Sequence, residues 1–285
     1  MLRRVPAPAL VLGAAISVQG GAAIAKSLFP ALGPAGVVFL RLLFGSVALY
    51  LVARPRLRGR TKRELVPVAL LGVTLAVMNL TFYEAISRVP LGIGVTVEFI
   101  GPLALAVVSS RRRLDLVWIL VAAVGIVLLS GGAGGHVDAL GIGLAALAGV
   151  FWATYIVLGT RVGSLWGGSS GLAVSMVVAA VVAAPFGLAG GGHGFTRPSN
   201  LLQGIAVGIL CSAVPWSFEI EAMRRLPTHV FGILMSSEPA VAAASGWIAL
   251  GERLRAQELV AIVLVVVASA GAARDARDPV VPLET

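Results

Sequence analysis

Two copies of one motif, Glu84-Ala-Ile-Ser-Arg-Val-Pro90 and Glu221-Ala-Met-Arg-Arg-Leu-Pro227, decide the architecture of this chain. Each copy continues to a second proline, Pro102 in the first and Pro239 in the second. A glutamate precedes it, eight residues after the first proline in one copy (Glu98) and eleven residues after it in the other (Glu238). An offset of 137 residues superimposes the leading Glu-Ala, one arginine and both prolines. The chain is therefore interpreted as a duplication with one acidic residue in the later part of each copy.

The composition around the motif is that of a membrane protein. The chain has 285 residues, of which 58% are hydrophobic and 12% charged, and its mean hydropathy is +0.96. Soluble domains are about 45–50% apolar and about 25% charged. Apolar segments of about 20 residues, enough to cross the hydrocarbon core, recur along the chain. The net charge of +9 does not indicate nucleic-acid binding, because the basic residues lie between apolar segments.

The apolar segments predict an all-α integral membrane protein with ten transmembrane helices. The expected limits are 8–27, 34–53, 64–86, 90–109, 114–131, 139–161, 168–190, 200–223, 227–250 and 256–273. The duplication divides the chain into five-helix repeats at 1–135 and 136–285. Because five is odd, the second repeat enters the membrane from the opposite side, so the halves are inverted repeats. Transporters built this way place the substrate near the midplane and expose it to each side in turn.

The loops predict the orientation. If the N-terminus is cytoplasmic, the inside segments hold 16 lysines and arginines and the outside segments hold 5. Cytoplasmic loops of membrane proteins carry an excess of these residues. Both termini are therefore expected in the cytoplasm.

Glu98 and Glu238 are the leading candidates for a functional site. An ionisable residue inside an apolar helix is costly, so it is a functional-site hypothesis by default. Burial favours the protonated form of a carboxyl group, so either residue could take up and release a proton or bind a substrate ammonium group. The neighbouring prolines, Pro102 and Pro239, should bend their helices and open a polar cavity. The alternative is a structural acid, satisfied by Arg41 or by a free backbone amide.

Other polar residues in apolar helices are weaker candidates. Arg41 is expected to form a structural ion pair with a glutamate, or else to bind a substrate carboxylate. Glu219 is a second-rank acidic candidate. Further groups that could contact a zwitterionic substrate, although most such groups bond to their own backbone, are Gln19, Asn79, Trp152, Tyr155, Thr96 and Ser236. Thr96 and Ser236 are expected to face the cavity.

Some charged residues have a plain structural interpretation. Glu84 with Arg88, and Glu221 with Arg225, are i, i+4 pairs in the favourable order and are expected to be structural. The sequence has no Walker loop, no metal-ligand spacing among its histidines and no hydrolase motif. No cofactor, no metal site and no enzymatic activity are therefore expected.

Three stretches carry a resemblance to a known family. They run from Ser17 to Pro30, from Val89 through the first acidic motif to Arg112, and from Pro215 through Glu219 to Ala240. With the duplicated ten-helix layout, in which Pro90 and Pro227 open helices 4 and 9, the chain resembles the EamA branch of the drug/metabolite transporter superfamily. The stretches are similar to the threonine and homoserine exporters of that branch.

The resemblance implies export of small neutral amino acids by proton antiport in the bacterial cytoplasmic membrane. The implied partners are the amino acid, protons and the lipid bilayer, with no nucleic acid and no obligate protein partner. Efflux of another small metabolite or drug is the alternative, although 6% aromatic residues is low for a large drug pocket. A non-transporting membrane scaffold also stays open from the residues alone, whereas the absence of catalytic motifs argues against an enzyme.

Overall fold

The computed structural model describes residues 5–109, 115–131, 138–166, 169–226 and 228–275, and these residues form helices and no strand. A 3-10 turn (Gly192–Thr196) precedes α9, and a π-helical turn (Ile209–Ala213) joins α9 to α10. In chain order the α-helices are α1 (Ala7–Ser27), α2 (Phe29–Ala53), α3 (Lys62–Arg88), α4 (Leu91–Glu98), α5 (Ile100–Ser109), α6 (Asp115–Gly131), α7 (Ala139–Leu165), α8 (Ser170–Gly191), α9 (Pro198–Gly208), α10 (Val214–Met223), α11 (Thr228–Met235), α12 (Glu238–Leu250) and α13 (Ala256–Asp275).

Long apolar helices make this a multi-pass membrane protein. Seven segments within the described ranges are long and apolar enough to cross a bilayer: Ala7–Ser27, Phe29–Ala53, Lys62–Arg88, Ala139–Leu165, Ser170–Thr196, Pro198–Met223 and Val230–Leu250. The other three predicted crossings correspond to a helix interrupted at Phe99, a 17-residue helix and a 20-residue helix. Large apolar side chains such as Leu51, Val181 and Ile248 are mostly exposed, which suits a surface that faces lipid.

Two predicted helices are broken in the middle. The segment 90–109 divides into α4 and α5 at Phe99, and the segment 227–250 divides into α11 and α12 at Ser236 and Ser237. A proline lies in the first turn of the second part of each, Pro102 in α5 and Pro239 in α12. Proline has no N–H to donate to the carbonyl four residues earlier, so the helix is interrupted one turn before it. The structure therefore interrupts both helices next to the prolines at which the sequence predicted bends; Pro227 lies outside the described residues.

Helix α2 contains a third irregularity, close to its start. Gly33 has φ +66°, which glycine adopts without steric cost, and Pro34 follows it. The regular part of α2 therefore begins at Pro34, the residue at which the sequence predicted the helix to start.

The helices pack in a pattern that brings the two halves of the chain together. Helix α2 lies along α8, and α3 lies along α7. Helix α1 lies along the π-helical turn and α10, α4 crosses α12, and α6 lies along α13. Every one of these contacts joins a helix of residues 1–135 to a helix of residues 136–285. The interior between the halves is therefore the natural place for a site.

The predicted i, i+4 ion pairs are both present. Arg88 Nη2 lies 2.8 Å from Glu84 Oε1, and Arg225 pairs with Glu221. Arg88 also donates to Asp138, which caps α7 by accepting a 2.9 Å hydrogen bond from the Leu140 N–H. These two hydrogen bonds, first that from Leu140, hold the pKa of Asp138 below its usual range. The pairs fix helix ends rather than form a site, as the sequence predicted.

The break between α4 and α5 depends on a close approach of α7. A Cβ atom on Gly149 would lie 2.5 Å from the carbonyl oxygen of Glu98, and one on Gly101 would lie 1.8 Å from the carbonyl oxygen of Gly149. Both glycines are therefore required for backbone to pack against backbone at this point.

Gly149→Ala should destabilise the protein, because the added methyl group would push α7 away from the Glu98 carbonyl. Overpacking of this kind costs about 1–3 kcal/mol. Gly143→Ala on the same helix is the matched control, since its Cβ would meet nothing within 4 Å, and the better helix propensity of alanine should leave stability unchanged or higher. Thermal unfolding in detergent measures both. Equal melting temperatures for the two variants would contradict the close approach.

Candidate functional site

One large cavity lies between the two halves, next to both helix breaks. Its volume is about 620 Å³, within the range of about 300–1,000 Å³ typical of small-molecule sites. The lining comes from α1, α2, α3 and the α4–α5 break in the first half, and from α7, α8, the π-helical turn, α10, the α11–α12 break and α13 in the second. Most of the lining side chains are apolar, so the few polar groups stand out.

The structure brings all eight residues proposed from the sequence to this cavity. They come from seven helices and lie up to 219 positions apart in the chain. The eight lining residues are Gln19, Arg41, Asn79, Glu98, Trp152, Tyr155, Glu219 and Glu238. They differ in how far their polar atoms are already bonded within the protein.

Three carboxylates face the cavity without a bonding partner. Glu98 ends α4, Glu238 begins α12, and Glu219 lies on α10. Glu98 is 8% exposed and Glu238 is 5% exposed. Among the described residues, none donates a hydrogen bond to these side chains or forms an ion pair with them. Glu238 experiences the negative charges of both other acids. Buried carboxylates in this condition can bind a proton or a cationic group.

Arg41 is held by neutral groups instead of the predicted ion pair. Its guanidinium donates to the Tyr83 hydroxyl at 3.0 Å and to the Cys211 carbonyl at 3.4 Å, and it lies 5.3 Å from the centre of the Tyr83 ring. The Cys211 carbonyl belongs to the π-helical turn. Glu98 is close enough to interact electrostatically with Arg41 but forms no ion pair with it. The expectation of a structural ion pair is therefore corrected.

Arg41 retains hydrogen-bonding capacity. Its buried Nε atom has no hydrogen-bond partner among the described residues. Gln19 is similar, because its side chain is buried and its Oε1 atom has no partner in the described part of the chain. Asn79 differs from both, since its Nδ2 donates a 2.8 Å bond to the Leu75 carbonyl on its own helix. A substrate could therefore engage Gln19 and Arg41 more readily than Asn79.

Two aromatic residues of α7 complete the set. Trp152 packs edge-on against Phe99, with ring centroids 5.1 Å apart and planes at 88°. It therefore covers the residue at the first helix break. Tyr155 lies one turn further along α7 and is near enough to Glu219 for an electrostatic interaction. Both are half-buried, and both belong to the cavity wall.

Ser269 is a lining residue that the sequence reasoning missed. It lies on α13, is buried, and its Oγ has no hydrogen-bond partner among the described residues. Ser236, in contrast, lines the cavity but donates to the Gly232 carbonyl. A single serine in an apolar helix carries no signal of its own, since most such hydroxyls bond to their own backbone.

Thr96 does not belong to the cavity. Its side chain is fully buried within the packing of α4, and its hydroxyl donates a 2.6 Å bond to the Gly92 carbonyl. The expectation that Thr96 faces the cavity is wrong because the face of α4 that carries Gly92 and Thr96 packs against α12, where a Cβ atom on Gly92 would lie 2.7 Å from the Ala243 Cα. Ser236 lines the cavity as expected.

Known proteins resemble this chain over almost its whole length. The model of the EamA-like transporter family matches residues 139–274. The threonine/homoserine exporter RhtA of Escherichia coli (strain K12) is 43% identical over 275 residues, which cover 95% of this chain and 93% of that exporter. The chain belongs to the EamA-like transporter family. The RhtA exporter of Salmonella typhimurium (strain LT2) is also 43% identical, over 93% of this chain and 90% of its own.

Membership of the EamA-like family decides between the classes left open by the sequence. The protein is a membrane transporter, neither a scaffold nor an enzyme. A crystal structure of another protein, 21% identical, covers 93% of this chain and 96% of its own with a TM-score of 0.62. At that identity the likeness concerns the fold alone.

The cavity makes a labelling prediction in which Ser212 and Thr96 are compared. Ser212 lines the cavity and is half-buried, whereas Thr96 is fully buried outside it. In a chain with Cys211→Ala, Ser212→Cys should react with a small polar thiol reagent and Thr96→Cys should not. The measurement is the fraction of protein labelled, read by a mass shift. Equal labelling of both variants in folded protein would mean that the cavity is not as described.

Proposed function

We propose that this transporter exports small neutral amino acids of the threonine and homoserine type in exchange for protons. The observation that carries the proposal is the pair Glu98 and Glu238, two buried carboxylates that face one cavity at the two helix breaks and have no bonding partner among the described residues. The substrate class follows from the exporters that are 43% identical over most of both chains.

The cavity chemistry suits a zwitterion. The carboxylates attract an ammonium group, and Arg41 offers a positive charge with an unsatisfied Nε for a substrate carboxylate. Gln19 supplies a further polar contact. The mostly apolar remainder of the wall suits a small side chain better than an additional charge. Efflux of another small metabolite is the second candidate, favoured by the same apolar wall.

Exchange of substrate for protons follows if the substrate ammonium group and a proton compete for the same carboxylate. A deprotonated Glu98 or Glu238 binds the ammonium group when the cavity faces the cytoplasm. When the cavity faces the other side, a proton from that more acidic compartment neutralises the carboxylate and the amino acid leaves. The protonated site then returns and releases its proton inside. A neutral zwitterion thus leaves the cell while a proton enters it, and the proton gradient drives export.

Alternating access would follow from two inverted five-helix repeats, at 1–135 and 136–285. Two observations support this arrangement. The helix breaks lie at Phe99 and at Ser236, which are separated by the same 137 residues as the motif copies. In the two repeats α1 corresponds to α7, and α3 corresponds to α9 and α10. The packing of α3 along α7 therefore has its counterpart in the packing of α10 along α1. Ten crossings in this order form two halves that can rock about the site.

Glu98→Gln and Glu238→Gln should each leave the protein folded but strongly reduce pH-driven export. A hydrogen bond to a charged group is worth about 1.5–3 kcal/mol, so transport should fall about tenfold to a hundredfold. Radiolabelled threonine movement in proteoliposomes under an imposed pH gradient measures this. The matched control is Glu84→Gln, a half-exposed acid at a helix end, which should transport normally. If both cavity variants transport like the parent, the carboxylates are structural and proton coupling lies elsewhere.

The orientation is proposed from the charge of the loops, with both termini in the cytoplasm. A reporter fused after Arg277 should give a cytoplasmic signal, and one inserted near His193 should give a periplasmic signal. The reason is that the inside segments hold 16 lysines and arginines and the outside segments hold 5. Swapped signals at both positions would reverse the orientation without affecting the cavity assignment.

A further inference from the structure

An ion pair joins three segments at one end of the helix bundle. Lys26 Nζ, on the last turn of α1, lies 2.6 Å from Glu252 Oε1, between α12 and α13. Lys26 also donates to the Val89 carbonyl at 2.8 Å, just before α4. The other oxygen, Glu252 Oε2, accepts a 2.8 Å hydrogen bond from the Leu91 N–H. Both side chains are mostly buried, and we call these contacts the latch.

The chain positions Glu252 for this contact with a helix-terminating turn. Gly251 has φ +67°, its N–H donates to the Trp247 carbonyl at 3.2 Å, and the Glu252 N–H donates to the Gly246 carbonyl at 3.1 Å. The bond from Gly251 is that of the αL helix ending, for which glycine is the preferred residue. A Cβ atom on Gly246 would lie 2.3 Å from Glu252 Oε2. The carboxylate therefore lies directly against the backbone of α12.

The cavity is displaced away from the latch. On α1 its lining stops at Ala22, four residues before Lys26, which is about 6 Å along a helix. At the other end the lining reaches Leu49 of α2, Leu172 of α8 and Met223 of α10, all within a few residues of helix ends. Under the proposed orientation those ends face the cytoplasm. The latch therefore closes the periplasmic end of a cavity that extends towards the cytoplasm.

We propose that Lys26 and Glu252 form the gate at the periplasmic end, which must open when substrate leaves. This rests on the proposed alternating-access export. The latch joins α1 and α4 of the first half to the α12–α13 connection of the second half, so the halves cannot separate at this end while it holds. Glu252 acts as a positioning residue, because it contacts no substrate and fixes which face is closed.

The chemistry of the latch predicts a graded effect. Glu252→Gln removes the ionic attraction for Lys26 but keeps an oxygen that can accept from the Leu91 N–H. Glu252→Ala removes both. The closed state should therefore weaken in the order parent, Glu252→Gln, Glu252→Ala. Exchanging the charges with Lys26→Glu and Glu252→Lys restores attraction but not the bond to Leu91, so closure should return in part.

The test reads access to the cavity from outside the cell. The reporter is Ser212→Cys in the chain with Cys211→Ala, treated in whole cells with a membrane-impermeant thiol reagent. The parent latch should give slow labelling, Glu252→Gln at least threefold faster labelling, and Glu252→Ala faster still. The control is Asp138→Asn, which removes the Arg88–Asp138 ion pair at the same end of the molecule. That pair joins α3 and α7, which pack along their length, so this variant should label like the parent. Labelling in inside-out vesicles measures access to the cavity from the cytoplasmic side.

Several outcomes overturn the proposal. It fails if the Glu252 variants fold and label like the parent, or if Asp138→Asn accelerates labelling equally. A second arm covers variants that do not fold: Lys26→Cys and Glu252→Cys are joined by a cleavable bifunctional thiol reagent, and transport should stop on cross-linking and return on reduction. Unchanged transport in cross-linked protein also overturns it. If the variants instead accelerate labelling only in inside-out vesicles, the latch stands and the proposed orientation is reversed.

Discussion

A backbone polar group inside a bilayer must find its partner within the protein, because hydrocarbon offers none. That constraint is strongest at the two helix breaks in this transporter, where Pro102 and Pro239 each lack the N–H that an α-helix would use. At the first break, glycine at position 149 lets α7 approach the Glu98 carbonyl directly, and Trp152 covers Phe99. At the second break, the hydroxyls of Ser236 and Ser237 donate to carbonyls of the preceding turn. Both breaks therefore lie against protein and cavity and are sheltered from lipid.

The polar groups of the site differ from those elsewhere in the membrane-spanning helices. Most serines and threonines with described bonds donate to backbone carbonyls, and the ion pairs at Glu84 and Glu221 lie at helix ends. The carboxylates beside the breaks are different, since they face the cavity and form no bond within the described part of the chain. One arginine, held by a tyrosine and a carbonyl, stands against three acids. With one basic and three acidic groups in its wall, the cavity favours cations.

The sequence predicted which residues line the cavity better than it predicted the contacts between them. The eight proposed residues reach the cavity because ionisable and aromatic groups in apolar helices are few, and burial in lipid restricts where they can point. One partner of Arg41, the Cys211 carbonyl, could not be predicted, because it depends on a π-helical turn that has no simple sequence signature. Thr96 was misplaced because the sequence does not show that its face of α4 packs against α12. Ser269 was missed because a single serine in an apolar helix carries no signal of its own.

The π-helical turn has a further consequence for the comparison of the two motif copies. Helices α3 and α9 begin 136 residues apart, at Lys62 and Pro198, whereas Glu84 and Glu221, beyond the turn, are 137 apart. A π-helical turn holds one residue more than an α-helical turn, which matches this difference of one residue. One residue corresponds to a rotation of about 100° around the helix axis. The wider turn therefore sets the side of the helix from which Glu219, one of the three cavity acids, projects.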